Sequence, residues 1–165
     1  MDSLWRKTEF WISAAIVALD QITKAIVSAG LPVHGSVPII RGFIDFTHVQ
    51  NTGAAFGLFN AAEFPFKTSI LALIAALALI GIAMYSARLA PHQKIARLAL
   101  ALVLGGAVGN LIDRLLHGYV VDFVDVYWGE HHFWAFNVAD SAITVGVVLM
   151  MLDMLLQERN VSETV

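Results

Sequence analysis

Two aspartates carry the sharpest chemical signal in this chain. Asp122 follows one apolar segment and Asp140 opens another, within the stretch Gly105 to Ala142, GGAVGNLIDRLLHGYVVDFVDVYWGEHHFWAFNVADSA. A carboxylate at a bilayer centre costs roughly 2.5 to 3.5 kcal/mol and less near an interface, so acids kept at a membrane edge call for a function. Asn110, Asp113, Arg114 and Asn137 flank the two, and together they read as a catalytic pair in a polar setting. Carboxyls brought to opposite sides of one water repel and hold a single proton between them, so one acts as base and the other as acid. Such a pair activates water against a peptide carbonyl without a covalent intermediate. A plainer alternative stays open at this level: Asp140 caps the helix it opens, where an acid is favourable, and Asp122 is a solvated loop residue.

Other polar residues fall at suggestive spacings. Asp20 and Lys24 are four apart and share a helix face, which permits an ion pair that lowers the cost of insertion; a structural pair or an interfacial clamp is favoured over direct chemistry. Asn110, Asp113 and Arg114 follow one another at three- and four-residue steps, placing a polar face at the end of an apolar helix. Asn137 stands three residues before Asp140, where it either orients that carboxylate or a substrate carbonyl, or caps the helix. Asn51-Thr52-Gly53-Ala54-Ala55-Phe56 joins an amide to small residues and reads as a binder of extended peptide backbone or as an ordinary turn. His131 and His132 raise the question of a metal, but adjacent histidines point apart and His34, His48 and His117 lack ligand spacing, so no metal site is expected. The Asn160-Val161-Ser162 sequon is discounted because it falls in a tail on the cytoplasmic side.

These groups must be held by membrane helices. The 165 residues are 58% hydrophobic and 14% charged, with a mean hydropathy of +0.73, outside the balance of a globular domain. Four crossings are expected, at about 10–30, 68–87, 95–114 and 138–157 within a single membrane domain, 1–165. The first resembles a secretory signal in following Arg6 and Lys7, but it is too long and contains Asp20 and Lys24, so it reads as a retained helix. Gly105 and Gly109 in the third form a Gly-xxx-Gly face for close helix contact. Between the crossings lie two segments, 31–66 and 115–137. In the first, Ile44 and Phe46 alternate with Asp45 and Thr47, which predicts short strands and a small β platform on the bilayer, since open strand edges are not tolerated within it. The second carries Asp122, Asp125, Glu130, His131 and His132 and cannot be a further crossing; it is expected as a loop or short helix whose aromatics sit at headgroup level. Arg6, Lys7, Arg88, Lys94, Arg97 and Arg159 fall on one side, with Arg41 and Lys67 as the main exceptions, so the termini are expected in the cytoplasm and the segments 31–66 and 115–137 outside it.

The formal charge of -3 leaves no basic face for nucleic acid. With no cysteine there is no disulfide, thiolate metal site or thiol nucleophile. A proton-coupled transporter built on Asp20, Lys24, Asp113 and Asp140 is the alternative from another class, and a noncatalytic binding scaffold a third. A transporter predicts acids spread through membrane depth and internal repeats, whereas here the acids cluster at one end.

Several blocks together resemble one family. Asp20 with Lys24, VQNTGAAFG at Val49 to Gly57, GGAVGNLIDR at Gly105 to Arg114, GYVVDFVD at Gly118 to Asp125 and AFNVADS at Ala135 to Ser141 are similar, in order, to the lipoprotein signal peptidases, the bacterial type II signal peptidases. That resemblance implies an aspartic endopeptidase of the inner membrane that cuts prolipoproteins on the amino side of a diacylglyceryl-modified cysteine, without a cofactor. It implies that Asp122 and Asp140 are catalytic. It assigns substrate-binding or supporting places to Asp20, Lys24, Asn51, Gly53, Gly106, Asn110, Asp113, Arg114, Asn137 and Ala139. The partners it implies are the modified precursors, membrane lipid and globomycin-type cyclic peptide inhibitors.

Overall fold

Apolar helices with polar ends dominate the chain. The computed structural model describes residues 2–54, 59, 62 and 64–162, with 2–6 and 157–162 described by backbone alone. Ala55 to Gly57 of the Val49 to Gly57 block, the side chains of Arg6 and Arg159 and the Asn160 sequon therefore lie outside the described residues or side chains. The element order is α1 (Asp2–Gly30), β1 (Ser36–Ile40), β2 (Ile44–Asn51), α2 (Lys67–Ser86), α3 (Lys94–His117), β3 (Val120–Trp128), β4 (His131–His132) and α4 (Val138–Ser162). All four helices contain a stretch long and apolar enough to cross a membrane.

Three of the helices outrun the boundaries that hydropathy suggests. α1 begins at Asp2 instead of residue 10, α3 continues to His117 and α4 to Ser162. Hydropathy marks the apolar middle of a helix, while backbone hydrogen bonding carries on through flanking residues such as Arg114 and Gln157 that are good helix formers. The ends that matter are set locally. α1 stops where Pro32 disfavours helical backbone at Leu31. α3 stops at Gly118, a left-handed C-cap with φ 81° whose N–H donates to the Arg114 carbonyl at 3.2 Å.

α3 is the centre of the bundle: α1, α2 and α4 all pack on it. Ten of its residues are buried, against Ala72 alone in α2. Glycine makes the contacts close. A Cβ on Gly105 would lie 2.9 Å from Ile16 Cβ, and one on Gly106 would run into the Ala139 carbonyl oxygen of α4. Backbones approach here because no side chain intervenes.

The segment 115–137, expected as a loop or short helix, instead supplies β3 and β4. The four strands form one antiparallel series in the order β1-β2-β3-β4. The alternation that marks a half-buried strand fails in β3 because Val120, Val121, Asp122 and Phe123 are all buried. One β-bulge sets the register of the central pair: β2 advances three residues, Phe46 to Val49, while β3 advances two, Val124 to Asp122. Beyond the bulge Val49 lies opposite Asp122 and Asn51 opposite Val120.

Candidate active site

The site forms where the sheet meets the ends of α1, α3 and α4. β3 follows α3 after only Gly118 and Tyr119, so its start is tied to the helix: the Val121 N–H donates to Asp113 Oδ2 at 3.0 Å. The next residue is Asp122. Further along, Phe136 bridges to Val124, its carbonyl accepting from the Val124 N–H at 2.8 Å. That contact brings Asn137, and with it the start of α4, beside Asp122.

Asn137 is fully buried and touches both acids. Its Nδ2 donates to Asp122 Oδ1 at 2.7 Å, and its backbone N–H donates to Asp140 Oδ2 at 3.2 Å. The Asp140 N–H returns a bond to Asn137 Oδ1 at 2.9 Å. This exchange is a capping box, so the plainer reading of Asp140 as a helix cap is structurally true. It does not use up the carboxylate, because Asp140 Oδ1 accepts from Asn110 Nδ2 at 2.8 Å. Asp122 has a second amide on its other oxygen, Asn51 Nδ2 to Oδ2 at 2.9 Å. Asn51 is itself aimed by the Gly53 N–H, which donates to its Oδ1 at 2.9 Å. Gly53 in turn gives its carbonyl to Arg114 at 3.0 Å.

Beneath the pair lies a charged layer. Lys24 Nζ sits 2.8 Å from Asp20 Oδ2 and 3.0 Å from Asp113 Oδ2, all three side chains buried. It also donates to Asn110 Oδ1 at 2.9 Å, the amide that holds Asp140. Asp20 Oδ1 accepts the Ala139 N–H at 2.9 Å, so α1 is fastened to the first turn of α4. Gly109 is what lets Asp20 in, since a Cβ there would meet Asp20 Oδ2 at 2.5 Å.

Two cations, Lys24 and Arg114, thus face four carboxyl groups. Full ionisation would leave uncompensated negative charge in a desolvated region, which is costly. Burial, reinforced by the Asp140 carboxylate, accordingly pushes the Asp122 carboxyl from its ordinary 3.8 up to about 7, against the pull of the Asn51 and Asn137 amides and of Lys24. Such a group still holds its proton at the edge of neutrality.

The structure brings Asp20, Lys24, Asn51, Gly53, Gly106, Asn110, Asp113, Arg114, Asp122, Asn137, Ala139 and Asp140 into one connected region. Gln21 belongs with them and was not singled out by spacing. Its Nε2 donates to Asp113 Oδ1 at 2.9 Å and to the Gly109 carbonyl at 3.2 Å. The only signal in the sequence was its place beside Asp20. Of the histidines, His132 pairs with Asp125 at 2.8 Å, and His48 donates through Nδ1 to the Leu31 carbonyl at 2.9 Å.

Comparison with known proteins points one way. The profile of the family described as Signal peptidase (SPase) II matches residues 12–156. A lipoprotein signal peptidase of Geobacter metallireducens is 41% identical over 152 residues, 92% of this chain and 93% of that protein. One from Syntrophotalea carbinolica is 43% identical over 141 residues, 86% of each. A bacterial membrane enzyme solved by the in meso method at 2.3 Å resolution superposes with a TM-score of 0.83 at 32% identity, covering 93% of this chain and 91% of that one.

Proposed function

This chain belongs to the signal peptidase II family of aspartic peptidases, and from that premise we propose that it removes signal peptides from prolipoproteins by water activated between Asp122 and Asp140. The observation that carries the mechanism is Asn137, bonded at once to Asp122 and Asp140 in a site where carboxyls outnumber cations. In the reactive state one carboxyl keeps its proton and the other is ionised. The ionised member takes a proton from water as the water oxygen attacks the scissile carbonyl carbon. The protonated member gives its proton to the carbonyl oxygen, producing a neutral gem-diol. Return of a proton to the amide nitrogen then lets the C–N bond break, leaving a carboxyl on the signal peptide and an amine on the cysteine.

The cysteine in this reading already carries diacylglycerol, and the bond cut lies on its amino side. Acyl chains favour lipid by about 0.8 kcal/mol per methylene, which concentrates such a precursor in the plane where the aspartates sit. The outward face of α2, with Leu73, Ile74, Leu77 and Met84 exposed, suits lipid contact. We place the termini in the cytoplasm and the sheet at the outer leaflet of the inner membrane, on the strength of Lys7, Arg88 and Lys94 at one end of the helices. Arg97 adds nothing to that count, because it is buried against Glu9. Globomycin-type cyclic peptides act, in the same reading, as blocked substrates at the aspartate pair.

The test is cleavage of a diacylglyceryl-modified precursor by purified protein. Asp122→Asn and Asp140→Asn each abolish cleavage while the variants still fold and bind inhibitor. Wild-type cleavage by either one overturns the pair mechanism.

A further inference from the structure

We propose that Lys67 is a positioning residue for this site, tying the chain that follows β2 so that Asn51 and Gly53 stay on Asp122 and Arg114. The inference rests on the aspartate reading above. It starts from a residue that its own helix does not favour. Lys67 is the first residue of α2, where the exposed N–H groups and the macrodipole already present positive charge. No acid stands in the first turn of α2 to offset it, and the N-cap, Phe66, makes no side-chain capping bond. A lysine in this place has a reason outside the helix.

Its contacts give the reason. Nζ donates to Thr52 Oγ1 at 3.1 Å, to the Ala62 carbonyl at 3.0 Å and to the Phe59 carbonyl at 3.3 Å. Thr52 is the residue between the two that serve the site: Asn51 donates to Asp122, and Gly53 accepts from Arg114. The loop is also closed on itself by the Ala62 N–H, which donates to the Phe59 carbonyl at 3.1 Å. One ammonium therefore joins Thr52 to Phe59 and Ala62 at the root of α2. The helix is in turn fixed to the turn between α3 and β3 through Thr68 Oγ1, which donates to the Gly118 carbonyl at 3.1 Å. α2 has a single buried residue, Ala72, yet by this route it holds one of the two amides on Asp122.

A positioning role separates kcat from KM. Lys67→Met is expected to lower kcat about tenfold, the scale of one misplaced charge-assisted hydrogen bond, with KM for the modified precursor changed less than about twofold. Lys67→Arg, which keeps charge and donors, restores most of the rate. Thr52→Val supplies an arm that leaves the lysine in place: it lowers kcat in the same direction, and Lys67→Met with Thr52→Val together lose no more than Lys67→Met alone. Wild-type kcat in Lys67→Met overturns the inference. So do a raised KM at unchanged kcat, which would mean that Lys67 touches substrate, and additive losses in the double variant. Asp122→Asn runs alongside: if it is inactive while Lys67→Met is unaffected, only this inference fails, and if it is active the aspartate reading fails first.

Discussion

α1 and α3 bury a cation at each end of the seam between them, and the two ends are built differently. At one, Arg97 pairs with Glu9 and gives a further bond to the Leu89 carbonyl at 3.3 Å, beside the apolar group Leu89, Ala96 and Leu100. At the other, Lys24 is shared by Asp20 and Asp113 and passes a hydrogen bond on to Asn110, which passes one on to Asp140. The first arrangement ends in backbone and apolar packing. The second continues until it reaches the acid pair. A buried ion pair is weak evidence for net stability, because desolvation offsets attraction; what distinguishes the two is where the remaining donors and acceptors lead.

Exchanging the cations is the strongest way to break that contrast. Lys24→Met strands two buried aspartates and is expected to cost about 3–5 kcal/mol of unfolding free energy and to abolish cleavage. Arg97→Met lowers stability by about 1–3 kcal/mol, less because Glu9 reaches solvent and rehydrates, and the folded fraction keeps its kcat. Unfolding in detergent micelles and turnover on the modified precursor read the two effects separately. Equal loss of kcat in both variants would erase the distinction.

The contact of α3 with α4 gives the next effect. Gly106→Ala drives a Cβ into the Ala139 carbonyl and is expected to cost about 1–3 kcal/mol through overpacking, with a loss of activity because Ala139 sits beside Asp140. Gly81→Ala is the smallest change. A Cβ there meets nothing within 4 Å on α2, so stability is expected to stay level or rise by about 0.5–1 kcal/mol through helix propensity. Thermal unfolding of the two variants side by side checks the pair.

Protonation sharpens the comparison in another way. The Asp122 carboxyl, raised to about 7, keeps its proton in the folded protein at pH values where the unfolded chain, near 3.8, has lost it. Folding therefore binds the extra proton, and this contribution to stability is complete below about pH 4 and is lost as pH climbs through about 7. Asp122→Asn is expected to flatten the decline of thermal stability across that window, while Arg97→Met leaves it in place. If the pair works with one proton, as proposed, wild-type cleavage is expected to fall on the alkaline side of about pH 7 when its rate is measured against pH.

Much of this was readable in the chain. Four long apolar runs mark four helices, the Asp20 and Lys24 spacing marks their ion pair, and Ile44 to Thr47 marks β2 by alternation. β3 was not readable, because both faces of Val120 to Phe123 are buried and the period-two pattern vanishes. Nor does any local rule pair Asn51 with Asp122, 71 positions away; that contact exists because β2 and β3 are neighbours in the sheet. Gln21 is not legible in the same way, since a polar side chain beside an ionised one carries no periodic signal of its own.

The bulge in β2 has a consequence for how such a chain can vary. Because side chains alternate along a strand, the extra residue between Phe46 and Val49 decides that Asn51, and not Gln50, turns toward Asp122. Removing any one residue there would rotate the amide away while leaving every site residue intact. Insertions and deletions in this short span should thus be tolerated far less well than substitutions.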